Sequence, residues 1–185
     1  GRIWLDTHRV MLINVSTLCS LRGELVDTIG VAKARGLLTR MGYSAGSRDA
    51  ALARKLRPHS TTAEAFLVGP LLRALKGGAV LEPVQVDIDI ATGHFLGEFV
   101  SVDSFEVDAH TPAYGLAREP ICWMTTGYAS GYTSTFMGRS ILYREVECRG
   151  MGAKHCRIIG KPIESWEDAE EDIRALQPEE FVNRY

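Results

Sequence analysis

The sequence predicts an α+β fold in a single domain, and three observations predict it. Apolar residues recur at helical spacing over the first 78 residues; beyond Gly78 the period drops to two in two separate stretches. A chain of 185 residues, 45% hydrophobic and 24% charged, is also long enough to bury one sizeable core. No internal repeat or low-complexity segment divides it, so N-terminal helices and antiparallel hairpins share one domain.

The elements follow in order. From Ser16 to Thr28, Leu18, Leu21, Leu25 and Val26 mark one face of a helix that Gly30 stops. The next stretch, from Val31 through Leu37, Leu38 and Met41 to the helix limit at Pro58, predicts two helices with a Gly-rich break at Gly42 to Gly46. "STTAEAFLVGPLLRALKGG" opens on the cap-type residues Ser60, Thr61 and Thr62, carries Glu64, and closes on Gly77 and Gly78. Pro70 kinks or divides it. "VLEPVQVDIDI" and "HFLGEFVSV" alternate across the turn "ATG" as a hairpin with one buried face, and "SFEVDAH" extends the sheet. A helix then runs from near Pro120 to Gly138, where Gly127, Ala129, Ser130 and Gly131 permit close packing. "SILYREVEC" and "HCRIIGK" form a second hairpin around "RGMG". The tail "SWEDAEEDIRALQPEEF" predicts a helix with a Ser165 cap and an apolar stripe at Trp166, Ile173 and Leu176.

Composition excludes some functions. A formal charge of -2 offers no basic field for nucleic acid. No apolar run reaches the roughly 20 residues that span a bilayer, and the N-terminus lacks a signal-peptide layout, so no membrane contact is expected. Four cysteines (Cys19, Cys122, Cys148 and Cys156) without such a signal imply a reducing, cytoplasmic setting.

In that setting "EVECRGMGAKHCRI" is the informative stretch. A Cys148–Cys156 disulfide is disfavoured by the compartment, and "GMGAKH" lacks the Lys-Ser/Thr pair of a phosphate loop. A catalytic thiol is poorly supported too, because His155 and Cys156 point to opposite faces of a strand. Metal binding explains more: thiolates from Cys122, Cys148 and Cys156 with one harder ligand would close a tetrahedral site. Glu145, Glu147 and His155 compete for the fourth position, and Glu145 would require a bend or bulge before Cys148. The alternative is four unrelated cysteines acting as small hydrophobes.

"EPICWMTTGYASGYTSTFMGR" and "EVECRGMGAKHCRIIGKP" resemble the effector-sensing domain of the XylR/DmpR family of bacterial activators of aromatic catabolism, with its vinyl-reductase-like half. The likeness continues through "LRGELVDTIGVAKARGLLTRMGY", "ARKLRP", "GPLLRALKG" and "GEFVSVDSFEVDAH", nearly the whole chain. The resemblance implies one structural zinc per chain on Cys122, Glu145, Cys148 and Cys156, selects Glu145 over its rivals, and leaves Cys19 as a core residue. It implies a domain layout as well: residues 1–78 as the helix-rich part of the sensor, 79–162 as the zinc-pinned effector-binding half, and 163–185 as the start of a linker helix. In such sigma-54-dependent activators an aromatic molecule bound to the N-terminal domain releases inhibition of a central ATPase. No "GxxxxGK[ST]" or helix-turn-helix occurs here, so contacts with ATP, DNA and sigma-54 RNA polymerase would belong to domains absent from this chain. A homodimer using the segment around Trp4 is implied too.

Phenol-responsive members resemble "GPQLHALKG" and "FEWIDSFE" where this chain has "GPLLRALKG" and "FVSVDSFE". The histidine and tryptophan that hold a phenolic hydroxyl correspond to Arg73 and Ser101, which favours a benzene, toluene or xylene-type hydrocarbon over phenol. A phenol-type or aromatic-acid effector is the alternative. Arg73 either snorkels outward, pairs with an acid, or binds a carboxylate or phenolate. Phe66, Val68, Arg73, Phe99, Ser101, Tyr132, Phe136 and Tyr143 are the expected effector-binding residues, each also readable as ordinary core. A metal-carrying assembly module and an enzyme are the rival functions. The enzyme is disfavoured because a zinc with four protein ligands has no open position and no acid–base pair is evident.

Overall fold

The computed structural model describes residues 1–176; the end of the expected tail helix, residues 177–185, lies outside the described residues. A short hairpin, β1 (Ile3–Leu5) and β2 (His8–Val10), precedes α1 (Val15–Ile29). Gly30 ends α1 at φ 82°, returning its N–H to the Val26 carbonyl.

The next helix corrects an expectation. α2 (Val31–Leu56) is one unbroken helix of 26 residues rather than two. Gly42 and Gly46 are not a turn: a Cβ on Gly42 would stand 2.2 Å from the Met124 carbonyl oxygen, and one on Gly46 2.1 Å from that of Tyr128. Across the crossing, Gly127 and Gly131 of α6 (Trp123–Met137) approach the Thr39 and Tyr43 carbonyl oxygens just as closely, at 2.1 and 2.0 Å. Two glycines four apart on each helix leave flat faces on which the backbones touch, so the stripe is an interface.

α3 (Thr62–Phe66) carries the capping box, Thr61 with Glu64. The chain divides at Leu67 rather than Pro70, because Pro70 lies in the first turn of α4 (Val68–Leu75), where a missing N–H costs nothing. β3 (Ala79–Asp89) and β4 (His94–Ser104) form the expected hairpin, but β3 is an edge strand with Val84 and Ile90 exposed. Its register shifts around Pro83, which has no N–H to donate. Phe95, Gly97, Phe99 and Ser101 supply the buried face of β4.

"SFEVDAH" is not a strand. It starts α5 (Phe105–Tyr114), and Phe105, Val107 and Ala109 imitate strand alternation only because Glu106 between them is buried as well. α6 starts at Trp123, later than Pro120. β5 (Ile141–Glu147) and β6 (Cys156–Pro162) flank a 3-10 turn at Arg149–Met151 and complete an antiparallel sheet in the order β3-β4-β6-β5. The last helix, α7 (Glu170–Leu176), lacks the Ser165 cap: Ser165 closes the 3-10 turn Ile163–Ser165, and Glu170, Glu171 and Asp172 supply the first-turn acids. Trp166 therefore lies off the helix that carries Ile173 and Leu176. With α2 on one side and the sheet on the other, α6 is buried on nearly every side and forms the centre of the fold.

Candidate functional site

One end of α6 meets the β5–β6 hairpin at a cluster of metal-type donors. Cys122 caps α6, Glu145 ends the regular part of β5, Cys148 precedes the 3-10 turn and Cys156 opens β6. All four are buried, and their donor atoms lie within 4.8 Å of one another. The Cys122 and Cys156 sulfurs are 3.7 Å apart, close to the edge of about 3.8 Å that a tetrahedron with zinc–sulfur bonds of about 2.3 Å would have. The pairing register shifts between Glu145 and Glu147, the irregularity that a Glu145 ligand required. The rival donors turn away: His155 and Glu147 pair with each other at 3.2 Å, half-exposed. One Glu145 oxygen accepts from the Cys122 N–H at 3.1 Å, and the other is buried without a hydrogen-bond partner.

The electrostatics suit a cation. Hydrogen bonds from the neighbouring thiols of Cys122 and Cys156 push Cys148 far down toward thiolate, while burial pushes the Glu145 carboxyl up to about 7. The Arg149 N–H reaches the Cys156 sulfur at 3.3 Å and the Ser104 hydroxyl lies 3.4 Å from that of Cys122. Three soft donors and one hard donor with this outer support fit a four-coordinate divalent ion with no open position. Cys19 stands apart, half-buried between α1 and α5, its thiol donating to the Ala109 carbonyl.

Along α6 the site turns aromatic. The rings of Tyr128, Tyr132 and Phe136 stack in a row at 6.1 and 6.0 Å. Phe66 meets Tyr132, Phe136 and Phe95 at 5.6, 5.4 and 5.6 Å, and Tyr143 joins Phe95 and Phe99. Phe66, Val68, Phe99, Tyr132, Phe136 and Tyr143 thus belong to one buried apolar cluster. Burial pushes the Tyr132 and Tyr143 hydroxyls well above their usual range, and Tyr132 donates to the Phe66 carbonyl at 2.9 Å. Ser101 lies between the two clusters, opposite Cys156 in the sheet, with its hydroxyl donating to the Asp103 carbonyl.

Arg73 closes the tyrosine end of the row. Its guanidinium is buried 5.1 Å from the Tyr128 ring and 5.4 Å from Phe105, donates to the Thr125 hydroxyl at 3.2 Å, and leaves Nε without a partner. Thr125 in turn donates to Glu106 at 2.8 Å, so the arginine neither snorkels nor stands alone. Burial pushes the Glu106 carboxyl up, opposed by the backbone N–H groups of Met124 and Thr125 and by Arg73 and Arg22. Glu106 thereby caps α6 from α5, a cap that Cys122 does not provide. A second buried acid, Asp49, accepts from Tyr128 and from Lys76, both at 2.7 Å. Sequence reasoning missed both acids. The available signal was an acid within an apolar stripe: Asp49 shares the face of Gly42, Gly46 and Ala53.

Known proteins match this arrangement. Residues 1–89 match the family described as activator of aromatic catabolism, and residues 102–162 match the vinyl-reductase-type domain family. The chain is 48% identical over 168 residues to the transcriptional regulatory protein XylR of Pseudomonas putida, covering 91% of this chain and 30% of that protein. It is 40% identical over 179 residues to the phenol regulator MopR of Acinetobacter guillouiae, covering 97% and 32%. The chain therefore spans less than a third of the length of either relative. A crystal structure of the phenol-responsive sensory domain of the transcription activator PoxR, with phenol, is similar at a TM-score of 0.94 and 49% identity, covering 97% of this chain and 89% of that one.

Proposed function

The chain belongs to the XylR-type sensory domains of aromatic-responsive transcription activators, and from that premise we propose that its own effector is a phenol-type molecule. As a member it is an aromatic-effector domain and not an enzyme. One observation carries the phenol reading: the likeness to a phenol-bound sensory domain runs through 97% of this chain. It outweighs the hydrocarbon preference drawn from Arg73 and Ser101. Of the five N–H donors of a guanidinium, Arg73 spends one on Thr125, so the end of the ring row retains donors for a phenolic oxygen. Ser101 contributes little to that oxygen, because its hydroxyl is committed to Asp103. The ring would lie among Phe66, Val68, Phe99, Tyr132, Phe136 and Tyr143, where apolar walls supply affinity and one polar contact supplies discrimination.

The metal in this reading is zinc, one per chain, on Cys122, Glu145, Cys148 and Cys156, with a structural role. The sulfur spacing and the unpartnered Glu145 oxygen support it. Residues 1–78 and 79–162 form the helical and metal-bearing halves of a cytoplasmic sensor, and residues 163–185 begin the connection to an ATPase. Through such further domains the whole protein would contact ATP, DNA and sigma-54 RNA polymerase. No helix among the described residues is long and apolar enough to cross a membrane. A homodimer is favoured by Ile3, Trp4, Met11 and Leu12, an exposed apolar run in which Trp4 is 56% accessible. Calorimetric titration of the purified, metal-loaded chain tests the effector: saturable phenol binding tighter than toluene or benzoate is expected. Tight toluene binding without phenol binding would restore the hydrocarbon reading and overturn this one.

A further inference from the structure

We infer that residues 163–176 form a releasable strap held on the sensor by charge, and that β5 couples this hold to the effector and metal clusters. Three consecutive residues of β5 serve three places: Tyr143 packs in the aromatic cluster, Arg144 holds the strap, and Glu145 faces the thiols. β5 is also an edge of the sheet, and the strap covers it: the Trp166 indole donates to the Leu142 carbonyl at 3.2 Å, with the Arg144 guanidinium 4.5 Å from its ring. Beyond Trp166 the hold is ionic. Arg144 reaches Asp168 and Asp172, both at 2.7 Å, and Arg35 of α2 reaches Glu171 and Asp172 at 3.3 and 3.4 Å. Arg40 donates to the Ala175 carbonyl at 2.9 Å.

Apolar packing contributes little to this hold. No side chain of α7 is buried, and a cleft of about 270 Å³ separates it from the body, with Cys122, Tyr143 and Glu145 on one wall and Asp168, Asp172 and Ala175 on the other. Asp168 and Glu171 are 82% and 81% accessible at their side chains, so their pairs are individually weak and screened by salt. A segment fastened this way lets go before the glycine-packed core does, and a small displacement of β5 moves Arg144 and both clusters together.

The effector arm of the test rests on the proposed function; the latch itself does not. Hydrogen exchange of α7 amides is measured in the metal-loaded wild type, in Arg144→Ala, and in the charge swap Arg144→Asp with Asp172→Arg, at low and high salt. At least roughly tenfold faster α7 exchange is expected in Arg144→Ala and in high salt, with metal content and α6 protection unchanged and with recovery in the swap. Equal α7 exchange in wild type and Arg144→Ala would overturn the latch. Phenol should alter α7 exchange in the wild type and not in Arg144→Ala; a phenol-bound wild type with unaltered α7 would overturn the coupling. Calorimetry on the same samples separates the failures: no phenol heat sinks the effector reading, and the coupling is then decided with whichever aromatic compound binds.

Discussion

The two clusters at either end of α6 are built by the same elements and do opposite things. α6, β5 and β6 carry Cys122, Glu145 and Cys156 at one end and Tyr132, Tyr143 and Ile158 at the other. At the metal end every donor converges within 4.8 Å, and rival donors are tied up elsewhere. At the aromatic end the contacts are ring edges and faces at 5.4 to 6.3 Å, with one guanidinium whose donors are mostly unspent. The difference separates what holds the domain from what it senses: a saturated site resists exchange, whereas an apolar cluster with one open polar end admits a ring.

The comparison breaks most sharply at the metal end. Cys156→Ala should lose the metal and cooperative folding together, measured by metal analysis and thermal melting, while Cys19→Ala keeps both. Metal retained in Cys156→Ala would remove that residue from the ligand set. Between the clusters, Glu106→Ala leaves Arg22 and Arg73 without their counter-charge and uncaps α6, so a loss of about 3–5 kcal/mol in urea unfolding is expected. Gly46→Ala drives a methyl into the Tyr128 carbonyl and should cost about 1–3 kcal/mol without affecting metal content. Smallest is Phe136→Leu, which removes ring contacts with Phe66 and Tyr132; phenol affinity should fall by about 0.5–1.5 kcal/mol with the metal retained. Loss of metal in this last variant would show that the two ends are one site.

Much of the fold is legible because its signals are local. Helix α1 ends where Gly30 stops it, the capping box at Thr61 and Glu64 opens α3, and alternation marks both hairpins. The misreadings share one cause: a residue whose partner is distant in sequence looks like its commonest local use. Gly42 and Gly46 look like a turn until Gly127 and Gly131 face the same crossing. Glu106 looks like the solvent side of a strand until the N-terminus of α6 and two arginines surround it. In the candidate site, thiol chemistry pointed to Cys122, Cys148 and Cys156, but spacing left three choices for the fourth donor. Glu145 came from the resemblance, and the bulge beside it supplies the physical reason. The pocket residues were nameable as aromatics on buried faces, whereas the role of Arg73 depends on Thr125 and Glu106, which no local pattern connects to it.

A crystal structure of the metal-loaded chain grown with phenol tests the central claim most directly. The account predicts the ring among Phe66, Tyr132 and Phe136, its oxygen within hydrogen-bond distance of Arg73, and a metal held by Cys122, Glu145, Cys148 and Cys156 with no phenol contact. Phenol coordinated to the metal, or bound outside the aromatic cluster, would contradict it.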